Sequence, residues 1–280
     1  MTRPFRLVDV FGTGAFTGNP LAVIADADGL SGEEMQAIAA WLNFSETTFL
    51  LPPGDPAADY RVRIFTMAHE LPFAGHPTLG SAHAWLEAGG RPKTEGTIVQ
   101  ECGVGLVAIR RGADRLAFAA PPLVRGGAPS EAEIDAVAAI LRLDRAAIVD
   151  AAWVDNGPGW IAVMLDSADA VLAVEPVRHH PSHVDIGIVG PHAAGGEAAF
   201  ELRAIFSDAH GGLIEDPVTG SLNASVGQWL FASGRASGGY VAAQGTRLGR
   251  TGRVHVTQDG AGQVWVAGET RTLFVGESGG

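Results

Sequence analysis

Two stretches of this chain share one plan, and their separation is the strongest constraint on what it can fold into. TFLLPP…YRVRIFT…ELPFAGHPTLGSAHAWLEAGG in the first half corresponds to FELRAIFS…LIEDPVTGSLNASVGQWLFASGR in the second. In each, a β-rich run ending in Phe-Thr or Phe-Ser precedes a Pro-x-x-Gly-Ser turn that leads into an apolar helix. Pro77 and Pro217 lie 140 residues apart, as do Gly80 and Gly220, and Ser81 and Ser221. Upstream, GNPLAVI at 18–24 matches GPGWIAVML at 157–165, with Gly and Pro ahead of an apolar strand in both. Three matches in one order imply an internal duplication. The 280 residues then divide into two halves of ordinary domain size. The expected halves are 1–122 and 129–263, joined by the Pro/Gly-rich stretch Pro121–Pro129, with 264–280 packing back on the first.

Helix signals are few. Ser31 with Glu34, and Ser130 with Glu133, form capping boxes ahead of apolar residues at helical spacing. A third helix is expected from His76-Pro77 to Gly89-Gly90, because proline suits the first helical position and glycine the stop. A fourth is expected with Asp216 as N-cap, Pro217 at the first position and an end near Gly234. The remainder reads as short strands bounded by Gly, Pro, Asp or Asn, among them 21–24, 47–51, 61–65, 104–110, 160–165, 201–206 and 253–257. This is an α+β pattern: mixed, largely antiparallel sheet closed around a few helices.

Composition removes several function classes. A net charge of −12 argues against a nucleic-acid partner or an anionic membrane surface. No apolar run approaches the ~18–20 residues of a membrane span. The opening MTRPFRLVDVFGTGAF lacks the apolar core of a signal peptide. The single cysteine, Cys102, can make neither an internal disulfide nor a cysteine-based zinc site, and it fits a reducing compartment. Cys102 itself reads as a small buried residue. The expectation is a soluble, cytoplasmic protein with no nucleic-acid or membrane partner.

The residues that could carry chemistry gather at the two helix starts and at one glutamate. A helix start offers unpaired N–H groups and partial positive charge, so a substrate carboxylate could sit on Gly220-Ser221 or Gly80-Ser81. The plainer reading of both is capping and packing. His76, in AGHP, could lend an imidazole to proton transfer, with its pKa held down by the positive helix end. Asp216 is a good N-cap in its own right, but it matches His76 across the 140-residue offset. Glu46, in NFSETTFLL, heads a β-branched and apolar run where Glu is disfavoured. A carboxylate entering a half-buried strand is desolvated, which suits a general acid/base at neutral pH. The alternative is a solvated residue that merely precedes the strand. His179-His180-Pro181-Ser182-His183 has no carboxylate or cysteine at ligand spacing and reads as a surface loop, so no metal site is expected. Nothing resembles a P-loop, and Gly12-x-Gly14 lacks the strand-turn-helix context of a dinucleotide site.

The chain resembles the PhzF family, the phenazine-biosynthesis-type isomerases of diaminopimelate-epimerase-like fold. The resemblance rests on VDVFGTGAFTGNPLAVI (8–24), LNFSETTFLLPP (42–53), FTMAHELPFAGHPTLGSAHAWL (65–86), EDPVTGSLNASVGQWL (215–230) and the closing QGTRLGRTGRVHV. It implies two pseudo-symmetric lobes, each a β-barrel-like sheet wrapped around one central helix, with the active site in the interlobe cleft. It places the essential acid/base on Glu46, the active-site histidine on His76 and the aspartate on Asp216. Asn19, Ser45, Gly75, Thr219, Gly220 and Ser221 fall at substrate-binding positions. It implies a cofactor-independent proton shift within a small unsaturated carboxylic acid, no metal, and a homodimer. Cys102 is at neither helix start, which disfavours the two-cysteine chemistry of the fold's epimerases. His69 stands where a proline is expected, and Leu222 and Ala224-Ser225 replace more usual residues; these changes bear on substrate identity. Two other readings remain: a non-catalytic small-acid-binding or interaction protein on the same scaffold, and a cysteine-free racemase or epimerase.

Overall fold

The computed structural model describes residues 2–112, 114–208 and 210–278. Among them are eighteen strands and five α-helices, in a mixed and mainly antiparallel arrangement. No helix among the described residues is long and apolar enough to cross a membrane. The contacts divide the chain into Met1–Ala119 with Ala267–Gly280, and Ala120–Val266.

In the first unit, strand Arg3–Val10 pairs antiparallel with both Asn19–Ile24 and Thr270–Ser278. Asn19–Ile24 then pairs in parallel with Thr47–Leu51, and the chain crosses between them through α1 (Gly32–Leu42). The Ser31–Glu34 capping box starts α1, and Asn43 in the left-handed region ends it. Tyr60–Phe65 pairs antiparallel with Thr47–Leu51 and parallel with Thr97–Cys102. The second crossover is α2 (Gly75–Glu87), whose residues 75–82 are all buried. A helix buried on every side belongs in a core rather than on a surface. Gly80 shows how close that core is: a Cβ there would come within 2.5 Å of Leu21 Cδ2.

The second unit opens with Arg125–Gly127 paired to Asp150–Asp155, so part of the stretch expected to be a linker is sheet. α3 (Glu131–Leu141), started by the Ser130–Glu133 box, buries Ile134, Val137 and Leu141 against Val163, Leu165 and Ile186. α4 (Ala168–Ala173) crosses between the parallel strands Ile161–Met164 and Asp185–Pro191. α5 (Gly220–Ala232) crosses between the parallel strands Phe200–Ser207 and Gly239–Gln244. In both units, parallel pairing occurs where a helix supplies the crossover that parallel strands require.

Three local expectations are corrected. α2 starts at Gly75, so Pro77 is its third residue, still within the first turn that tolerates proline. α5 starts at Gly220 with Thr219 as N-cap; Asp216 ends strand Leu213–Asp216, held extended by its pairing with Ala204. Asp-Pro looks like a helix start from sequence, but tertiary strand pairing overrides it here. Cys102 is only partly buried, at the end of its strand.

Candidate active site

In the first unit the site begins with a loop bent around a buried carboxylate. Asp9 accepts hydrogen bonds from Thr17 N and Gly18 N, both at 2.9 Å, and this closes residues 11–18 into a tight turn. Only glycine fits at 18, because a Cβ there would lie 2.1 Å from Val10 O. The turn delivers Asn19, fully buried, to the first position of its strand. The Asn19 amide nitrogen lies 3.3 Å from His76 Nδ1. An amide nitrogen donates, so in this arrangement Nδ1 accepts. Nε2 faces Glu46 Oε2 at 3.4 Å. Glu46 arrives from the other side, directly before strand Thr47–Leu51, with its side chain 16% exposed.

His76 is 3% exposed, and burial depresses its pKa from 6.5 to about 3. The cause is desolvation rather than the helix end. At neutral pH the imidazole is therefore neutral, and its contact with Glu46 is not an ion pair. The sign of the pH effect follows. Below pH 6.5 the unfolded chain takes up a proton on His76 that the folded chain refuses until about pH 3. This contribution to stability is complete above pH 6.5 and is lost as pH falls. Between pH 7 and 4 it amounts to about 3 kcal/mol. Denaturant titrations of His76→Asn are expected to show a pH dependence shallower by about that amount. An unchanged slope would mean that residue 76 is not the buried neutral group.

Gly80 and Ser81 do not form an anion site. They lie well inside α2, and the Ser81 hydroxyl donates to Thr48 Oγ1 at 2.9 Å. Gly75 is the helix's first residue, next to His76. Ser45 lies in the turn before Glu46.

The second unit builds its set around the start of α5. Gly220 and Ser221 are the first two residues of that helix, which has no side-chain cap. Ser221 O accepts from Asn156 Nδ2 at 2.9 Å, and its Oγ lies 3.4 Å from Trp160 Nε1. Asp216, 8% exposed, accepts a 2.6 Å hydrogen bond from the Thr219 hydroxyl. Thr219, expected to touch substrate, thus has its hydroxyl turned to Asp216. The sequence reading missed Asp9, Asn156, Gln100 and Gln244. Asp9 serves a local turn, while Asn156, Gln100 and Gln244 bind partners more than 20 residues away. Asp9, in VDVFGTGAFTGNPLAVI, and Gln244, in the closing QG motif, were the two with a visible signal. The His179–His183 stretch is largely exposed, and among the described residues no three His, Cys, Asp or Glu side chains gather as a metal-binding set.

The family described as phenazine biosynthesis-like protein matches residues 8–276. The chain is 34% identical to antisense-enhancing sequence 1 of Schizosaccharomyces pombe, over 98% of both chains. It is 32% identical to trans-2,3-dihydro-3-hydroxyanthranilate isomerase of Pseudomonas aeruginosa, over 92% of this chain and 91% of that one. The PhzF-family protein of Bacillus anthracis has the same fold, with a TM-score of 0.83 at 24% identity and 99% coverage of each chain. The chain belongs to the phenazine biosynthesis-like (PhzF) family and is an enzyme of the isomerase class.

Proposed function

We propose that this chain shifts a proton between two carbons of a small unsaturated carboxylic acid, without metal or organic cofactor, using Glu46 as the proton carrier. The observation that carries this reading is the Asn19–His76–Glu46 array: a buried neutral imidazole 3.3 Å from a side-chain amide on one side and 3.4 Å from a carboxylate on the other. In the proposed cycle, the Glu46 carboxylate takes a proton from an acidic C–H. The electron pair of that bond moves into the conjugated system. A different carbon of the system then takes the proton back from the Glu46 carboxyl, so atoms and charge balance over the cycle. A single carboxylate can serve both steps when water does not exchange the captured proton. His76, neutral at working pH, orients Glu46 and steadies developing charge as a donor. Asp216 is proposed as a second required side chain. The amides of Gly220 and Ser221 are proposed to receive the substrate carboxylate, as a helix start with no side-chain cap can.

The test uses trans-2,3-dihydro-3-hydroxyanthranilate, the acid named for the Pseudomonas relative, labelled with deuterium at the carbon that loses its proton. The expected product carries deuterium at another ring carbon, formed with no added metal or nucleotide. Scrambled configuration at the original carbon, with the double bonds unmoved, would instead make the chain an epimerase. Tight binding of the acid with no chemical change would make it a binding protein.

A further inference from the structure

The start of α5 is held by a buried hydrogen-bond relay whose direction is fixed by the backbone. Gln244 is fully buried at the end of strand Gly239–Gln244. Its Oε1 accepts from Thr219 N at 3.0 Å, and a backbone N–H can only donate. Its Nε2 donates to Asp216 O at 3.3 Å, and a carbonyl can only accept. These two contacts leave one orientation for the amide. Nε2 also donates to Thr219 Oγ1 at 2.9 Å. The hydroxyl proton must therefore point elsewhere, and it points at Asp216 Oδ2, 2.6 Å away. Asn223 Nδ2 secures the same amide oxygen at 2.8 Å. Gly245 keeps the arrangement close, since a Cβ there would lie 2.5 Å from Pro217 O.

The first unit contains the same device with a different terminus. Gln100 Nε2 donates to Thr78 Oγ1 at 3.0 Å, and Thr78 Oγ1 donates to Ala74 O at 2.8 Å. A buried strand glutamine thus orients a threonine near the start of a buried helix in both units. In the first, the hydroxyl ends on a backbone carbonyl. In the second, it ends on the Asp216 side-chain carboxylate. Helix capping alone needs only the first arrangement.

We propose that Gln244 and Thr219 are positioning residues for the reaction, acting through Asp216: the amide sets the hydroxyl, and the hydroxyl sets the carboxylate. This rests on the reading of Asp216 as a required side chain. It goes beyond that reading by assigning Thr219 to Asp216 rather than to the substrate.

The experiment compares Thr219→Val, which keeps shape and removes the hydroxyl, with Thr219→Ser, which restores it. Crystal structures of both and label-transfer kinetics on trans-2,3-dihydro-3-hydroxyanthranilate are the readouts. In Thr219→Val, the Asp216 carboxylate is expected to leave its position. Its kcat should fall about 10- to 100-fold, the effect of one charge-assisted hydrogen bond, with KM within about threefold of wild type. In Thr219→Ser, the carboxylate position and kcat should both return. An unmoved Asp216 in the Thr219→Val crystal overturns the proposal, whatever the rate. A rise in KM at constant kcat also overturns it, because it would return Thr219 to substrate binding. Asp216→Asn separates the two layers: wild-type turnover in that variant overturns the role of Asp216, while the crystal structures still decide whether the relay positions it.

Discussion

Glu46→Gln is expected to lower the rate of label transfer by at least about a thousandfold while leaving the folded chain intact. General acid/base catalysis commonly contributes about 10²–10⁴-fold, and here one group would carry both halves of the transfer. Gln matches Glu in shape and keeps polar atoms at both carboxyl positions, so the packing beside His76 is retained. Glu46 precedes its strand rather than packing within it, and its side chain retains some exposure. The cost in stability should therefore be below about 1 kcal/mol. Glu46→Asp offers a graded control. It keeps the carboxylate but withdraws it by one methylene, about 1.5 Å, and misplacement on that scale costs about 10²-fold. The decisive result is the ranking: wild type, then Asp, then Gln at background. Label transfer by Glu46→Gln within tenfold of wild type would end the proton-carrier assignment.

The second large effect is structural and lies at Arg203. Its guanidinium spans strand and helix: Nε and Nη2 bind Glu215 at 3.1 and 2.8 Å, and Nη1 binds Val174 O and Val171 O at 2.6 and 3.1 Å. Those carbonyls belong to the C-terminal end of α4, where a cation is favoured. The two side chains are only 4% and 10% exposed. Removing one partner of such a pair strands a buried charge, which costs about 3–5 kcal/mol. Arg203→Met is expected to lower the urea unfolding free energy by that amount. Arg203→Met combined with Glu215→Leu should recover most of it, because the stranded carboxylate is gone. The pair should respond little to salt, unlike the exposed Arg145–Glu131 contact. A loss under about 1 kcal/mol in the single variant would mean that water reaches Glu215.

Sequence legibility divides by range. The boxes at Ser31–Glu34 and Ser130–Glu133 form as read, because every partner lies within three residues. The strand at Thr47–Leu51 has its expected bounds, since β-branched and apolar residues between polar turns admit little else. Asp216-Pro217 shows the limit. The dipeptide is identical to a helix start, and only its pairing with Ala204 and the grip of Gln244 on Thr219 reveal that the helix waits until Gly220. The same limit applies to Gln100 and Gln244. A polar residue in a strand looks solvent-facing until the hydroxyl it serves, from elsewhere in the chain, is brought against it. His76 was legible as chemistry from its proline neighbour, but its charge state depends on burial supplied by the whole first unit. The 140-residue repeat located both helices, yet their first residues, Gly75 and Gly220, are 145 apart. The extra five residues separate a histidine inside one helix from an aspartate ahead of the other.

The pairing of Arg3–Val10 with Thr270–Ser278 sets an order for biosynthesis. A ribosome makes the first strand early and its outer partner some 260 residues later, with the whole of Ala120–Val266 in between. At about 5–20 residues per second, that interval is roughly ten seconds to a minute. The second unit is contiguous, so all of its chain has been made before the first unit receives its last strand. The first unit therefore cannot be completed until the second has been synthesised. During the wait, one edge of Arg3–Val10 stays open, and open strand edges are where nascent chains pair with the wrong partner. Slow translation of the interior, or a chaperone that covers that edge, should matter more to the yield of this enzyme than to one whose first domain closes on itself.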